Sequence, residues 1–257
     1  MIDSSAIIDP SAKIAKDVVI GPFTLIGPGV EIDSGTEIAS HVIIHSNTRI
    51  GRNNKIFAFA ALGGDPQHSG YKGEPTHLQI GDDNIIREYC SIHRGTALGH
   101  GVTQIGNRNF LMAYAHIAHD CVLGDEVVLS NNAGLAGHVT IGNYVVLAPF
   151  CGVHQFVSIG AYSFLGRATL VGQDIPPYLL VTGVPGGPRS LNLIGLKRRG
   201  FSDETIRKLR RAYAIVYRQD LKLNESIAKL YEMLPDCPEL EPFIAVLENT
   251  KRGISRK

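Results

Sequence analysis

An aliphatic residue occupies every sixth position along most of this sequence. The series runs unbroken from Ile2 to Leu62, resumes between Ile80 and Leu98, and continues from Ile105 to Val171 after a slip of one residue. An α-helix repeats its faces about every 3.6 residues and a half-buried strand alternates, so a period of six fits neither. The sequence therefore indicates a repeat architecture made of very short units.

Glycine often follows the aliphatic residue, as at Gly21, Gly51, Gly106 and Gly142. Because glycine accepts backbone dihedral angles that other residues avoid, these positions predict a corner in every hexad. Three hexads then close one triangular coil of parallel strands, with the aliphatic side chains pointing to a common axis. A single coil leaves its upper and lower faces uncovered, so we expect stability to come from stacking many coils.

The hexad pattern resembles that of the hexapeptide-repeat proteins. This resemblance implies a mainly β fold, a left-handed parallel β-helix, whose hand is an exception to the usual right-handed crossover. We expect the β-helix to occupy residues 1–189, with excursion loops near 63–79 and 99–103, where the ladder is interrupted or slips and glycines cluster. Loops on a rigid scaffold often carry binding residues, so both are candidate walls of a site.

A different periodicity begins after a segment rich in proline and glycine at 176–188, which we interpret as a connector. Apolar residues are then spaced by threes and fours, as in α-helices. Helix starts are indicated at Ser202-Asp203, Asn224-Glu225 and Pro238-Glu239. Residues 190–257 are therefore expected to form a small C-terminal α-helical domain that packs on its own β-helix or on a neighbouring one.

The composition narrows the class of protein. No apolar run is long enough to span a membrane and the sequence does not start like a signal peptide, so we expect a cytoplasmic protein without stable membrane insertion. The four cysteines lie far apart, which argues against a thiolate metal site or a disulfide scaffold.

Charge is distributed unevenly along the chain. Residues 190–257 carry 14 Lys and Arg against 9 Asp and Glu, whereas residues 1–189 carry 11 against 15. The basic tail either meets an acidic partner or is simply solvated. We expect no nucleic-acid partner.

Two histidines and an aspartate stand within residues 115–121, among small and aliphatic residues. In a coil of three hexads, His138 would stack on Asp120 and Gly137 on His119, about 4.8 Å apart. A carboxylate beside a histidine can fix its tautomer and stabilise the imidazolium, so the pair is a candidate general base. The Gly137 N–H could stabilise an oxyanion, which suggests acyl transfer to an alcohol. The alternative is that these are ordinary polar surface residues.

Zinc binding is a second alternative. Three histidines on one face can bind zinc with an open position, as in hexapeptide-repeat proteins similar to carbonic anhydrases. The spacing of His116 and His119 differs from theirs, and no cysteine cluster supports a structural metal. We therefore expect neither a metal nor another cofactor.

A set of distinctive segments occurs in order over nearly the whole chain: Gly73-Glu74-Pro75-Thr76, Ile92-His93-Arg94-Gly95-Thr96, Ala115-His116-Ile117-Ala118-His119-Asp120-Cys121, Asn131-Asn132-Ala133, Leu135-Ala136-Gly137-His138-Val139, Val153-His154-Gln155-Phe156, Gln173-Asp174-Ile175-Pro176-Pro177-Tyr178 and Gly195-Leu196-Lys197-Arg198-Arg199-Gly200-Phe201. Hexads alone would also fit sugar-nucleotide N-acyltransferases and serine acetyltransferases. The complete set of motifs resembles the UDP-N-acetylglucosamine O-acyltransferases, the family that opens lipid A biosynthesis in Gram-negative bacteria.

The resemblance implies a homotrimer with active sites in clefts between neighbouring prisms. It implies that His119 removes the proton of the glucosamine 3-hydroxyl and that Asp120 orients His119. The Gly137 N–H would hold the oxyanion as the hydroxyl attacks the thioester of an acyl-carrier protein, an acidic partner for the basic tail. The remaining implied residues bind substrate: His116, His138, His154 and Gln155 at the sugar and acyl cleft, and Asn192, Arg198 and Arg199 at the nucleotide or its phosphates.

Three departures from the family pattern affect substrate recognition. His68 and Gly70 stand where the family usually has an acidic residue and a lysine, and Ile194 replaces a carboxylate on the nucleotide side. Arg167 stands where relatives have a glycine at the floor of the acyl groove, so we expect a shorter groove. We therefore expect that the acyl-transfer chemistry is retained and that the selectivity for substrates is altered. A divergent paralogue with a short acyl group, a 3-amino sugar nucleotide as acceptor, and a binding trimer without turnover are the alternatives.

Overall fold

Three parallel sheets form the walls of a triangular prism. A computed structural model describes residues 1–256, and its strands β1 to β25 each span two to four residues. Consecutive strands enter different sheets, so every third strand is a neighbour in the same sheet. In chain order the strands are β1 (Ile7–Ile8), β2 (Lys13–Ile14), β3 (Val19–Ile20), β4 (Leu25–Ile26), β5 (Glu31–Ile32), β6 (Glu37–Ile38), β7 (Ile43–Ile44), β8 (Thr48–Ile50), β9 (Lys55–Ile56), β10 (Ala61–Gly64), β11 (His77–Ile80), β12 (Ile85–Ile86), β13 (Ser91–His93), β14 (Val102–Ile105), β15 (Phe110–Leu111), β16 (His116–Ile117), β17 (Val122–Leu123), β18 (Val128–Leu129), β19 (Gly134–Leu135), β20 (Thr140–Ile141), β21 (Val146–Leu147), β22 (Gly152–Val153), β23 (Ser158–Ile159), β24 (Phe164–Leu165) and β25 (Leu170–Val171).

The register of the sheets stacks the hexad positions on one another. Ile117 of β16 pairs with Leu135 of β19, and Leu135 pairs with Val153 of β22. All three side chains are buried on the prism axis, which confirms the predicted stack of parallel coils. At the N-terminal end Ile2 is half exposed, because no further coil covers that face.

The glycines after the ladder residues have a different role from the predicted one. Among residues 1–256, Gly21, Gly51 and Gly106 do not adopt the left-handed backbone conformation. A Cβ on Gly106 would lie 2.5 Å from the Gly124 carbonyl oxygen of the next coil, and one on Gly51 would lie 2.8 Å from the Gly81 oxygen. These distances are shorter than van der Waals contact, so the glycines allow neighbouring coils to approach each other.

The corner of each hexad is made three residues after the ladder position. The backbone turns there with a positive φ, usually at a residue with a side chain, such as Asn47 (58°), Phe59 (64°), Asp120 (58°) and His138 (62°). Asn and Asp accept this conformation more readily than most residues, whereas an aromatic residue is uncommon in it. Asp120 and His138 therefore stand at successive levels of one corner of the prism.

Two loops leave the prism, as predicted, although their bounds differ. The first covers residues 65–76 and lengthens its coil to 30 residues. The second covers residues 94–101 and gives a coil of 25 residues. The prediction that Leu98 belongs to the ladder is wrong, since Leu98 lies in the second loop and is 77% exposed. The next ladder position is Ile105, which pairs with Ile80.

One wall of the prism ends in a hairpin where the sequence suggests a connector. Strand β26 (Leu179–Thr182) pairs in parallel with β24 and antiparallel with β27 (Gly187–Leu191). The segment expected to be a connector thus contains all of β26 and the start of β27, and these strands satisfy the backbone groups at the edge of the wall. The predicted domain boundary after residue 189 falls inside β27, and the division into two domains stays a prediction.

A short helix and three longer ones follow. Ser202 starts the second helix as predicted, because its hydroxyl accepts a hydrogen bond from the Thr205 amide. The shortest helix has too few residues to show a period in the sequence. Within residues 1–256 no helix is long and apolar enough to cross a bilayer. The helices are α1 (Leu193–Arg198), α2 (Asp203–Tyr217), α3 (Leu223–Met233) and α4 (Glu241–Asn249), with 3₁₀ turns at Leu234–Asp236 and Pro238–Leu240.

The helical tail is joined to the prism by hydrogen bonds and by a shared core. Tyr178 Oη donates to the Glu239 carbonyl oxygen at 2.8 Å, and Thr250 Oγ1 donates to Asp174 Oδ2 at 2.6 Å. One cluster of buried apolar side chains continues from the prism into the helices, where Phe243 is fully buried. The tail therefore covers the C-terminal end of the coil stack.

We expect Gly106→Ala to lower the free energy of unfolding by about 1–3 kcal/mol, because the added methyl group must displace the backbone of the next coil. Urea denaturation of the purified protein measures this change. Gly134→Ala is the matched control, since a Cβ there would have no neighbour within 4 Å; its stability should stay within about 0.5 kcal/mol of the wild type. Equal losses in both variants would contradict the packing role of Gly106.

Candidate active site

An open cleft of about 900 Å³ lies along one wall of the prism. Outward-facing residues of four neighbouring strands pair in register along its floor, in the order His116, Gly134, Gly152 and Leu170. The two successive glycines leave a smooth trough, and Leu170 stands at one end of it. The cleft is also lined by Gln67, His68, Ala118, His119, Leu135, Ala136, Gly137, Val153, His154, Gln155, Val171, Gly172, Val184 and Pro185.

His119 and Asp120 form a bonded pair at this cleft. His119 Nδ1 lies 2.9 Å from Asp120 Oδ2, and the two side chains are 9% and 0% exposed. An ionised carboxylate can only accept, so Nδ1 carries the hydrogen and Nε2 keeps a free lone pair. Because His119 lines the cleft, its Nε2 has the chemistry of a general base.

Hydrogen bonds keep the Asp120 carboxylate ionised. Burial alone would raise the pKa of Asp120, but hydrogen bonds from Thr96 and His119, together with the nearby His138, hold that pKa below its usual value. The Thr96 hydroxyl donates at 2.7 Å and the His100 amide at 3.0 Å. The carboxylate is thus fixed on several sides, which in turn fixes the orientation of His119.

Gly137 lies above His119 in the next coil, as the spacing predicts. The His138 amide donates to the His119 carbonyl oxygen at 3.0 Å, and this bond sets the stacking. A Cβ on Gly137 would lie 2.6 Å from His119 Cε1, so only glycine leaves room for the imidazole. Within residues 1–256 the Gly137 N–H has no acceptor, and an oxyanion in the cleft could accept its hydrogen bond.

His154 and Gln155 line the upper part of the cleft, whereas His138 lies at the prism corner beside Asp120. His138 Nε2 is 3.8 Å from Asp120 Oδ2, and its ring stacks on Phe156 with centroids 4.4 Å apart. His154 and Gln155 both line the cleft one coil further on. The structure therefore brings His154 and Gln155 to the same cleft as His119, and it places His138 next to Asp120 rather than among the residues that line the cleft.

His116 belongs to a partly buried polar cluster at the lower end. Its Nδ1 lies 2.7 Å from Ser91 Oγ, and its ring meets His93 edge to face. Burial lowers the pKa of His116, and burial together with neighbouring histidines lowers the pKa of His93 to about 4. Both rings are therefore neutral at pH 7 and can form hydrogen bonds without carrying charge.

The predicted nucleotide-binding residues do not join this cleft within one chain. Asn192, Arg198 and Arg199 line a second cavity of about 610 Å³ between the end of the prism and α1. Asn192 Oδ1 accepts from the Gly195 amide at 3.1 Å, and Nδ2 donates to the Tyr162 carbonyl oxygen at 2.9 Å. The Asn192 side chain thus already serves to hold α1 on the prism.

Arg198 and Arg199 are both exposed in this cavity, and Arg199 is held in place by other side chains. Arg199 forms an ion pair with Glu126, and its guanidinium lies 4.3 Å from the centroid of the Tyr144 ring. Within residues 1–256 no carboxylate forms an ion pair with Arg198. An exposed guanidinium without an acidic partner is suited to a phosphate group.

Arg167 lies outside the cleft of its own chain. It is exposed at a turn after β24, and it is not among the residues that line either cavity. Leu170, which is 49% exposed, occupies the end of the trough instead. The structure thus offers a second residue that could limit the length of an acyl chain.

The sequence motif that contains Arg94 did not predict what this residue does. Its side chain is 7% exposed and pairs with Asp65, and it donates to Tyr71 Oη at 2.7 Å. These bonds hold the first loop against the prism and bring His68 into edge-to-face contact with His119, with ring centroids 5.4 Å apart. The one signal in the sequence that could have predicted this role was a charged residue, Arg94, within the aliphatic ladder.

His68 and Gly70, two of the residues that depart from the family pattern, are hydrogen-bonded to each other. The Gly70 amide donates to His68 Nδ1 at 3.1 Å, so the hydrogen of a neutral His68 lies on Nε2. A Cβ on Gly70 would lie 3.1 Å from His68 Cε1, so glycine favours this arrangement. A neutral His68 therefore has a hydrogen-bond donor at Nε2, on a side chain that lines the cleft.

One group of side chains has the composition of a metal site. Ligand atoms of His100, Asp120 and His138 lie within 4.8 Å of one another. The Asp120 oxygens are already bonded to Thr96, His119 and the His100 amide, so a metal ion would have to displace those donors. This group does not include His116 and His119, whose spacing in the sequence already argued against a zinc site of the carbonic-anhydrase type.

The fold and the site define a class of protein: a prism of hexad coils with a bonded histidine–aspartate pair in an outward cleft is a hexapeptide-repeat acyltransferase. Residues 102–137 match the family model described as bacterial transferase hexapeptide (six repeats). Residues 174–255 match the model described as UDP N-acetylglucosamine O-acyltransferase, domain 2.

Individual relatives define the family more closely. The chain is 49% identical over 208 residues, 81% of each chain, to the acyl-(acyl-carrier-protein)–UDP-N-acetylglucosamine O-acyltransferase of Halorhodospira halophila. It superposes with a TM-score of 0.98 on the UDP-N-acetylglucosamine acyltransferase of Francisella novicida, at 46% identity and covering 100% of this chain and 94% of that one. The Moraxella catarrhalis UDP-N-acetylglucosamine O-acyltransferase gives 0.97 at 44% identity, with 99% of each chain covered.

This chain belongs to the UDP-N-acetylglucosamine O-acyltransferase family. The family resemblance that the sequence motifs indicate is thereby confirmed. The predicted fold, a left-handed parallel β-helix followed by α-helices, is confirmed as well.

We expect His119→Ala to lower the rate of acyl transfer by roughly 10² to 10⁴-fold, which is the usual effect of removing a general base. The rate is measured under saturating substrate with purified protein. His41→Ala is the matched control, since His41 is an exposed corner histidine of an earlier coil and should leave the rate unchanged. A near-normal rate for His119→Ala would remove this residue from the mechanism.

Proposed function

We propose that this protein transfers an acyl or 3-hydroxyacyl group from acyl-carrier protein to the 3-position of the glucosamine of UDP-N-acetylglucosamine, the first step of lipid A biosynthesis. The observation that carries the proposal is the bonded His119–Asp120 pair beneath Gly137, beside a trough of two glycines, in a chain of this family. The pair supplies a base, and the trough can accept an acyl chain.

The site supports a direct transfer without an acyl-enzyme intermediate. His119 Nε2 takes the proton of the sugar 3-hydroxyl as its oxygen bonds to the thioester carbonyl carbon. The Gly137 N–H stabilises the resulting oxyanion, and Asp120 stabilises the imidazolium. The oxyanion then collapses, the carbon–sulfur bond breaks, and the carrier thiolate takes the proton from His119. The products are the O-acyl sugar nucleotide and the free carrier thiol.

A homotrimer would unite the two sets of substrate-binding residues. In one chain the nucleotide residues Asn192, Arg198 and Arg199 line a different cavity from the His119 pair. A sugar nucleotide has to meet both sets at once. We therefore propose that the cleft of one chain is completed by a neighbouring copy, which supplies contacts that a single prism lacks.

The helical tail is proposed to bind the carrier protein. Three arginines of α2, at positions 207, 210 and 211, are exposed, and within residues 1–256 none of them forms an ion pair with a carboxylate. A cationic face of this kind attracts an acidic partner and accelerates association at low salt. We also propose a cytoplasmic location, because both substrates of the reaction are soluble.

Acyl transfer by the purified protein is the decisive test. Carrier protein loaded with acyl chains of graded length, with and without a 3-hydroxyl, is offered with UDP-N-acetylglucosamine or its 3-amino analogue, and the products are identified by mass spectrometry. We expect O-acylation of UDP-N-acetylglucosamine, and a KM for the carrier protein that rises with salt as the basic tail is screened.

Transfer only to the 3-amino acceptor would favour the divergent paralogue. A trimer that binds nucleotide without transfer at any chain length would contradict the proposed enzyme. Activity that disappears with a chelator, together with zinc in elemental analysis, would instead support a zinc-dependent hydratase similar to the carbonic anhydrases.

Leu170 is proposed to set the length of the acyl chain. The floor positions Gly134 and Gly152 lie at successive coils, so the open trough extends for about 10 Å. The side chain of Leu170 then rises at the next coil, where a Cβ on Gly152 would come within 2.8 Å of it. The sequence-based prediction for Arg167 concerns the same property and is tested in parallel.

We expect Leu170→Gly to raise kcat/KM for longer acyl chains by about tenfold relative to the preferred one, because about two more methylene groups become buried at about 0.8 kcal/mol each. Competition between two loaded carrier proteins measures the ratio. Arg167→Gly is the paired variant: a shift in preference there, with none in Leu170→Gly, would assign the length limit to Arg167.

A further inference from the structure

The second loop, residues 94–101, encloses a single buried carboxylate. Thr96 donates to Asp120 through its amide, at 3.1 Å from both oxygens, and through its hydroxyl at 2.7 Å from Oδ2. The His100 amide donates to Oδ1 at 3.0 Å. Within residues 1–256 the loop accounts for every hydrogen bond to this carboxylate except the one from His119. A Cβ on Gly99 would lie 2.4 Å from Asp120 Cγ, so the loop backbone closes directly over it.

A regular hexad corner does not bury a carboxylate in this way. Glu126 occupies the same kind of corner with positive φ, one hexad after Asp120, and its side chain is 24% exposed. The Asp120 side chain is 0% exposed. The break in the repeat therefore creates an enclosed environment that the repeat itself does not provide.

In the part of the chain that the structure describes, Asp120 has no permanent cation beside it. The ionisable side chains that face it are His119 from the same turn, His138 from the next coil at 3.8 Å, and His100 from the loop. Within residues 1–256 no lysine or arginine forms an ion pair with it. A buried carboxylate without a fixed cation stays ionised only if hydrogen bonds replace its lost hydration. Thr96 supplies two of the donors, its backbone amide and its hydroxyl.

We propose that Thr96 is a positioning residue for acyl transfer, whose hydroxyl holds the Asp120 carboxylate in the orientation that directs His119 Nε2 into the cleft. This inference rests on the proposed function, in which His119 is the general base. Thr96 acts through Asp120 and does not touch the reacting atoms. The loop that interrupts the ladder is thereby part of the catalytic apparatus.

The test compares three variants with the wild type. Thr96→Val keeps the shape of the side chain and removes the donor, whereas Thr96→Ser keeps the donor. Thr48→Val is the matched control, because Thr48 is a buried threonine of β8 whose hydroxyl has no hydrogen-bond partner within residues 1–256. We expect only Thr96→Val to lower kcat, by roughly ten- to a hundredfold, with KM for the sugar nucleotide unchanged.

The pH profile separates positioning from a general loss of structure. A hydrogen bond to the ionised form favours ionisation, so its removal lets Asp120 take up a proton at higher pH. The acid limb of the kcat/KM profile should therefore move to higher pH in Thr96→Val and stay in place in Thr96→Ser. If the valine variant does not fold, Thr96→Ala takes its place in the same comparison.

A ¹³C carboxyl NMR titration of Asp120 tests the inference without any activity. We expect its midpoint to rise in Thr96→Val and to be unchanged in Thr48→Val. An unchanged midpoint, or a serine variant as impaired as the valine variant, would overturn the role of Thr96. A wild type that transfers no acyl group overturns the proposed function, while the titration still decides whether Thr96 controls Asp120.

Discussion

Backbone stacking between successive coils is the constraint on which this structure depends. Parallel strands lie about 4.8 Å apart, so each residue in the regular part of the prism has a fixed neighbour in the coil above. Glycines such as Gly106 permit the close approach, and the aliphatic ladder fills the axis. Because stacking repeats, residues of one kind form columns. One outward column, from His116 through Gly134 and Gly152 to Leu170, becomes a trough.

Interruptions of the stack supply what regular coils lack. The first loop is anchored by the buried Arg94, and it brings His68 against His119. The second loop donates hydrogen bonds to Asp120 that replace its hydration. Both loops converge on the same histidine–aspartate pair, so the rigid coils fix the positions of the two side chains and the loops provide their electrostatic environment.

The residues proposed to bind the substrates are divided between the tail and the prism. Arg199 is fixed by Glu126 and Tyr144, and Asn192 fastens α1 to the prism. These residues are therefore rigidly placed, although they line a separate cavity in a single chain. A substrate with a charged nucleotide at one end and a sugar hydroxyl at the other is matched to such a divided site, and a neighbouring copy would bring its two parts together.

The hexad period by itself determined the walls of the prism, its buried axis and the stacking of Gly137 on His119, because spacing along a regular repeat equals position in space. The period did not show why glycine follows the ladder residue. Glycine is favoured both where the backbone needs unusual dihedral angles and where two coils pack closely. Only the tertiary structure placed Thr96 on Asp120, 24 residues away across a loop. It also placed Arg94 under the other loop and Leu170 at the end of the trough, and it left Arg167 exposed. Loops and tail follow no repeat, so their contacts depend on how the chain closes in three dimensions.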